Sequence, residues 1–114
     1  MSFRDQYNRE IGSVDKYGTM RDEYNREIGR FDNDGTVRDE YNRETGRIEN
    51  GIFRDEYNRE IGRIDSDGTV RDEYNREIGR IDDDGTVRDE YNREIGSASG
   101  MSKEKAAFKF FFKK

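Results

Sequence analysis

One nine-residue pattern, R-D-E/Q-Y-N-R-E-I/T-G, begins at Arg4, Arg21, Arg38, Arg54, Arg71 and Arg88. The spacings are 17, 17, 16, 17 and 17 residues. Repetition this strict makes each copy one supersecondary unit that buries its apolar side against its neighbours. The missing residue falls at RIENGIFRD, residues 47–55, where other copies read RIDSDGTVRD and RIDDDGTVRD. A repeat can lose a residue only if its local geometry survives the loss.

Two geometries compete. Val70, Tyr74, Ile78 and Ile81 have the spacing of a helix face, with Thr69 as a cap and Gly79 as a stop. A β-hairpin is the alternative, and charge favours it. With Glu73-Tyr74-Asn75 as a three-residue loop and Asn75 left-handed, Asp72 faces Arg76, Arg71 faces Glu77 and Val70 faces Ile78. Each pair is favourable across strands. A four-residue loop would set Asp72 against Glu77.

The short repeat fits the same scheme. Ser66-Asp67-Gly68 reads as a three-residue loop with glycine at the positive φ, so that Ile64 faces Val70. Asn50-Gly51 is a two-residue type I′ signal, which makes Ile48 face Phe53. One hairpin loop replaces another, and every side chain keeps its face. Ile61 and Ile64 are three apart yet belong to one face, which calls for a bulge, placed at Gly62-Arg63. One bulge per repeat curls a sheet.

The expected fold is therefore all-β: about twelve short antiparallel strands in a meander of six hairpins over residues 1–97, rolled or barrel-like. Its inward side chains are Phe3, Ile11, Val14; Met20, Ile28, Phe31; Val37, Thr45, Ile48; Phe53, Ile61, Ile64; Val70, Ile78, Ile81; and Val87, Ile95, Ala98. Thr45 is the polar exception, with Phe31 and Phe53 placed to compensate its volume. The stretch DGTVRDEYNREIGRID resembles repeats of the form G-x-V-x-D-x-x-G-x-x-I-G-R-I-D in small bacterial tandem β-hairpin proteins of unassigned function, Asn standing where that pattern has Gly. The resemblance covers residues 3–97, implies hairpins and carries no activity.

Patterning is needed to overrule composition, because 29% apolar and 43% charged residues approach the balance of disordered chains. The absence of cysteine and histidine excludes disulfides, thiolate metal sites and histidine-based catalysis. No basic region followed by an apolar stretch opens the chain, and no apolar run approaches a membrane span, so the cytoplasm is the expected compartment. Residues 1–100 carry 17 basic and 26 acidic groups, a net −9, against +4 for residues 101–114. Such a body is a poor general binder of nucleic acid, while acidic body and basic tail could attract one another between copies. A protein partner or a homo-oligomer is the expected association.

Three features invite chemistry. The clusters Asp32-Asn33-Asp34-Gly35, Asp65-Ser66-Asp67-Gly68 and Asp82-Asp83-Asp84-Gly85 are similar to calcium loops, but position twelve counted from Asp65 is Arg76, where an EF-loop needs a bidentate Glu. Acidic turns are the simpler account. Paired carboxylates such as Asp72 and Glu77 could serve acid–base work, yet each faces an arginine that keeps it ionised. No enzyme activity, cofactor or metal is expected. The six loop tyrosines Tyr7, Tyr24, Tyr41, Tyr57, Tyr74 and Tyr91 would run along one rim, roughly 10 Å apart, as a platform for glycans or peptides. Alternatively each ring folds back to cover the sheet end. A structural or interaction module is the first expectation and a ligand-binding tyrosine rim the second; exposed rings would favour the second.

After a Gly/Ser linker at 98–102, residues 103–114 break the repeat. Ser102 can cap a helix that places Phe108, Phe111 and Phe112 on a stripe with Ala107. Phe108, Phe110 and Phe112 alternate with Lys109 and Lys113, so a strand is the other option. A basic aromatic segment could also lie on a membrane surface. A roll lined by Val and Ile would be poorly filled, and the phenylalanines could plug it.

Overall fold

The computed structural model describes residues 1–113 and contains one closed antiparallel barrel. Its first six strands are β1 Ser2–Asp5, β2 Glu10–Val14, β3 Thr19–Asp22, β4 Glu27–Phe31, β5 Thr36–Asp39 and β6 Glu44–Glu49. The other six are β7 Ile52–Asp55, β8 Glu60–Ile64, β9 Thr69–Asp72, β10 Glu77–Ile81, β11 Thr86–Asp89 and β12 Glu94–Ala98. Each strand pairs with its sequence neighbours, and β1 pairs with β12 through Phe3 and Ala98, which closes the ring.

Both loop assignments hold. Asn75 has φ 68° and Gly68 φ 95°, while Asn50 and Gly51 both have positive φ, 51° and 82°. Ile64 pairs with Val70 and Ile48 with Phe53, so the shorter turn preserves the pairing. At this end of the barrel the repeats are also tied to one another. The Gly68 carbonyl accepts the Ile81 amide at 2.9 Å, and Gly51 accepts Ile64 at 2.7 Å. Gly18, Gly35 and Gly85 do the same, and Met1 provides the sixth acceptor, for Val14.

The bulge lies one residue earlier than expected. Arg54 pairs with Glu60 and Phe53 with Gly62, so Ile61 is the extra residue and Gly62-Arg63 is regular ladder. Hence Val70 faces Gly79, not Ile78. The reason is space: the glycine is buried in all six repeats, and a Cβ on Gly62 would strike the Arg71 carbonyl at 2.6 Å. The bulged isoleucines, Ile11, Ile28, Ile61, Ile78 and Ile95, pack on the core only partly buried. Thr45, their counterpart, is exposed, and the space beside its small side chain is an open cleft at the loop end that neither Phe31 nor Phe53 fills.

The largest fully enclosed side chains are Phe3, Val14, Met20, Val37, Phe53, Val70, Ile81 and Val87. Twelve strands enclose more width than single Val and Ile side chains fill, since about eight is the number that side chains alone close over. The tail fills the remainder. After β12 the chain turns at Gly100, φ 75°, and enters the barrel as a helix, α1 Lys103–Ala107. Ser102 Oγ accepts the Lys105 amide at 3.2 Å, and Ala106 and Ala107 are buried. Phe108–Phe112 then wind as a π-helix, with the Lys113 amide donating to the Phe108 carbonyl at 2.8 Å. The π-turn closes from i to i+5, and because the closed wall surrounds the plug, Phe110 reaches it as well as Phe108, Phe111 and Phe112. Phe110 meets Phe3 edge-on at 6.2 Å, and Phe108 meets Phe31 at 5.5 Å.

Candidate interaction rim

The tail runs from one mouth of the barrel to the other. At the mouth formed by the glycine turns, Glu104 Oε2 accepts the Gly51 amide at 2.8 Å and Lys103 pairs with Asp83. The opposite mouth carries the six loops of sequence D-E/Q-Y-N-R. Because the sheet closes, the tyrosines form a ring around this mouth rather than a row.

Each loop is built on its aspartate. Asp72 Oδ1 accepts the amides of Tyr74 and Arg76 at 2.9 and 3.0 Å, and Oδ2 accepts Arg76 Nε at 2.9 Å. Asn75 completes the turn by donating its amide to the Asp72 carbonyl at 3.0 Å. The other five loops repeat these bonds within 0.1 Å or so. The Arg76 amide, then the Arg76 guanidinium and the Tyr74 amide, hold the Asp72 carboxyl below its ordinary range against the opposing effect of burial. Asp5, Asp22, Asp39 and Asp55 are lowered for the same reasons by their own Arg and Tyr. A carboxylate held ionised by several donors is a fixed structural strut and a poor proton shuttle.

The tyrosines themselves do not fold back. Tyr7, Tyr24, Tyr41, Tyr57, Tyr74 and Tyr91 are 70–71% exposed. Over each ring lies the guanidinium of the arginine two residues on, 5.0–5.3 Å from the centroid. The same arginine binds the loop aspartate, so ring, cation and carboxylate form one contiguous unit. The sequence singled out the tyrosines but missed Arg9, Arg26, Arg43, Arg59, Arg76 and Arg93 as their partners; the recurrent Tyr-x-Arg spacing was the available signal. Tyr17, at the opposite mouth, was also missed and is 73% exposed.

The acidic turns spend their carboxylates internally. Asp34, Asp67 and Asp84 each accept the amide of the threonine two residues on at 3.0 Å. Asp32, Asp65 and Asp82 bind Arg38, Arg71 and Arg88 at 2.8–2.9 Å. Among the described residues no group of three acidic side chains is placed to hold a metal ion. Arg71 thus bonds Asp65, although its backbone pairs with Glu77 as expected. At the tyrosine mouth, Lys109 is half-buried beside the Phe3 ring, and burial followed by the nearby Lys113 charge pushes its pKa down.

A closed sheet of repeated hairpins around a helical plug, with like loops at one mouth, defines a repeat module of the flower type. The chain belongs to the family described as 5-fold beta-flower protein, which it matches over residues 2–114. Its own barrel has six hairpins, one more than that description. No curated protein and no solved structure matches the chain.

Proposed function

We propose that this repeat module is a non-enzymatic protein-interaction module, and that the ring of six tyrosine–arginine loops is its docking face for a peptide segment of a partner. The observation that carries the reading is the combination of exposure and fixation: six tyrosines 70–71% exposed, each in a loop closed by its own aspartate. Tyrosine and arginine are the residue types that dominate binding energy at interfaces. A ring that is already fixed loses little conformational entropy on binding. Six equivalent loops add avidity to contacts that are individually weak. Glu23, Glu40, Glu56, Glu73 and Glu90 sit beside the tyrosines, so a basic partner segment suits the face.

The test replaces Tyr24, Tyr41, Tyr57 and Tyr74 together with serine and compares the proteins captured from the source cell by each form. Exposed rings contribute little to folding, so the variant keeps its melting temperature and loses the captured partner. Equal capture by both forms sinks the rim as docking face.

A further inference from the structure

The six sectors of the barrel are not filled alike. A Cβ built on Gly62, Gly79 or Gly96 would come under 3.0 Å from the ring of Phe112, Phe111 or Phe110 respectively. Gly12 and Gly29 are covered instead by side chains of their hairpin partners, Phe3 and Met20, at 3.6 Å. Gly46 differs. The nearest atoms to a Cβ there are backbone atoms of Arg54 and Asp55, and its hairpin partner is the smaller Val37. The adjoining bulge position, isoleucine in the other five repeats, is Thr45. Three reductions in bulk therefore coincide in the third repeat. They leave a cleft of about 290 Å³ at the tyrosine mouth, walled by Ile28, Val37, Thr45 and Ile61, backed by Phe108 and Phe112, and rimmed by charged side chains of the loops and the tail.

We propose that this cleft binds a small neutral hydroxylated aromatic, a molecule of phenol type. Its size suffices: a dry apolar cavity of about 150 Å³ takes benzene, and small-molecule pockets begin near about 300 Å³. An aromatic ring is the group that fills the equivalent sectors over Gly62, Gly79 and Gly96, and Phe108 and Phe112 offer it faces and edges to pack against. The hydroxyl has a partner. Thr45 donates its Oγ1 proton to the Val37 carbonyl at 3.3 Å, which leaves Oγ1 lone pairs to accept from the ligand. At the entrance the charges without an ion pair among the described residues balance, Glu40 and Glu56 against Arg54 and Lys113, so a neutral ligand suits the mouth.

The full-length chain is titrated with phenol, followed by amide chemical shifts, beside the variant Thr45→Ile. That variant restores the residue of the other five repeats, so it folds, and its melting temperature without phenol matches or exceeds the original. Saturable shifts centred on Val37, Thr45 and Ile61, with affinity reduced about tenfold or more in Thr45→Ile, are expected. No saturable shift, shifts confined to the rim tyrosines, or equal affinity in the variant would each overturn the proposal.

Discussion

Phe112 stacks on Phe53 with ring centroids 4.4 Å apart and planes inclined by 29°, joining the tail to the fourth hairpin through the barrel axis. Neither ring forms another aromatic pair among the described residues. Truncating a buried Phe to Ala costs about 3–5 kcal/mol, and Phe112 is partly buried, so Phe112→Ala should fall near about 3 kcal/mol. Domain stability is about 5–15 kcal/mol, so deletion of residues 101–114 should unfold or aggregate the repeats. Thermal denaturation followed by circular dichroism measures both. A truncated chain that stays monomeric with an unchanged melting temperature would show that the sheet does not need its plug.

Arg71 offers a test of register against side-chain choice. Its Cα pairs with that of Glu77, but its Nε lies 2.9 Å from Asp65 Oδ2 and its Nη1 bonds the Asn75 carbonyl at 3.3 Å. The coupling energy should therefore appear in a double-mutant cycle of Arg71→Ala with Asp65→Ala, at about 0.2–1 kcal/mol for a partly exposed pair. The cycle of Arg71→Ala with Glu77→Ala should give less. The reverse ranking, read from urea denaturation, would reassign the ion pair.

The hairpins were legible because turn chemistry and cross-strand charge agreed: Asn75 and Gly68 each fit one backbone conformation, and the 16-residue copy replaced one compatible turn with another. The bulge was not. Isoleucine matches valine in character, so Ile78 looked like Val70's partner, while Gly79 carries no side chain and gives a pattern nothing to place. Its inward position exists for Phe111, which lies outside the repeats. Phe110 was left off the tail's apolar stripe because α-helical spacing turns it away from the other rings, but a plug inside a closed barrel faces wall on every side, and Phe110 meets Phe3 there. Closure of the ring depends on Phe3 meeting Ala98, a long-range pairing that no local motif announces. Among the site residues, tyrosines stood out by repetition; the arginines recur as regularly in Tyr-x-Arg, but only the folded loop, with its Asp–Arg bond, shows each guanidinium lying over its ring.

Stability should depend on pH in one direction only across the acid range. The loop carboxylates of Asp5, Asp22, Asp39, Asp55 and Asp72 are lowered, first by the amide of the arginine four residues on. A folded pKa below the unfolded value of about 3.9 means the stabilisation is complete above that value and lost as pH falls through the folded one. The chain has no histidine to add a transition near neutrality. Melting temperature should be nearly level from about pH 5 to 8 and drop below about pH 4. Replacing the arginines with glutamine at positions 26, 43, 59 and 76 should weaken but not remove the drop, because the backbone donors remain. A melting temperature that rose on acidification would reject these aspartates as the acid-sensitive groups.

Gly79 and Phe111 make the sharpest claim about why the repeat contains its glycine. A Cβ at Gly79 would meet both the Phe111 ring and the Arg88 carbonyl, the latter at 2.6 Å. Gly79→Ala should therefore destabilise through two separate collisions, one with the plug and one with the neighbouring strand. Phe111→Ala removes the first and leaves the second, so the alanine at 79 should cost less in that background than in the original chain. Overpacking a formed core costs about 1–3 kcal/mol, which sets the scale of the coupling. At Gly46 the collision is with backbone alone, and Gly46→Ala should show no coupling to Phe111→Ala. Equal costs of Gly79→Ala in both backgrounds, measured by chemical denaturation, would mean that the glycine serves the strand ladder and that the plug merely rests on it.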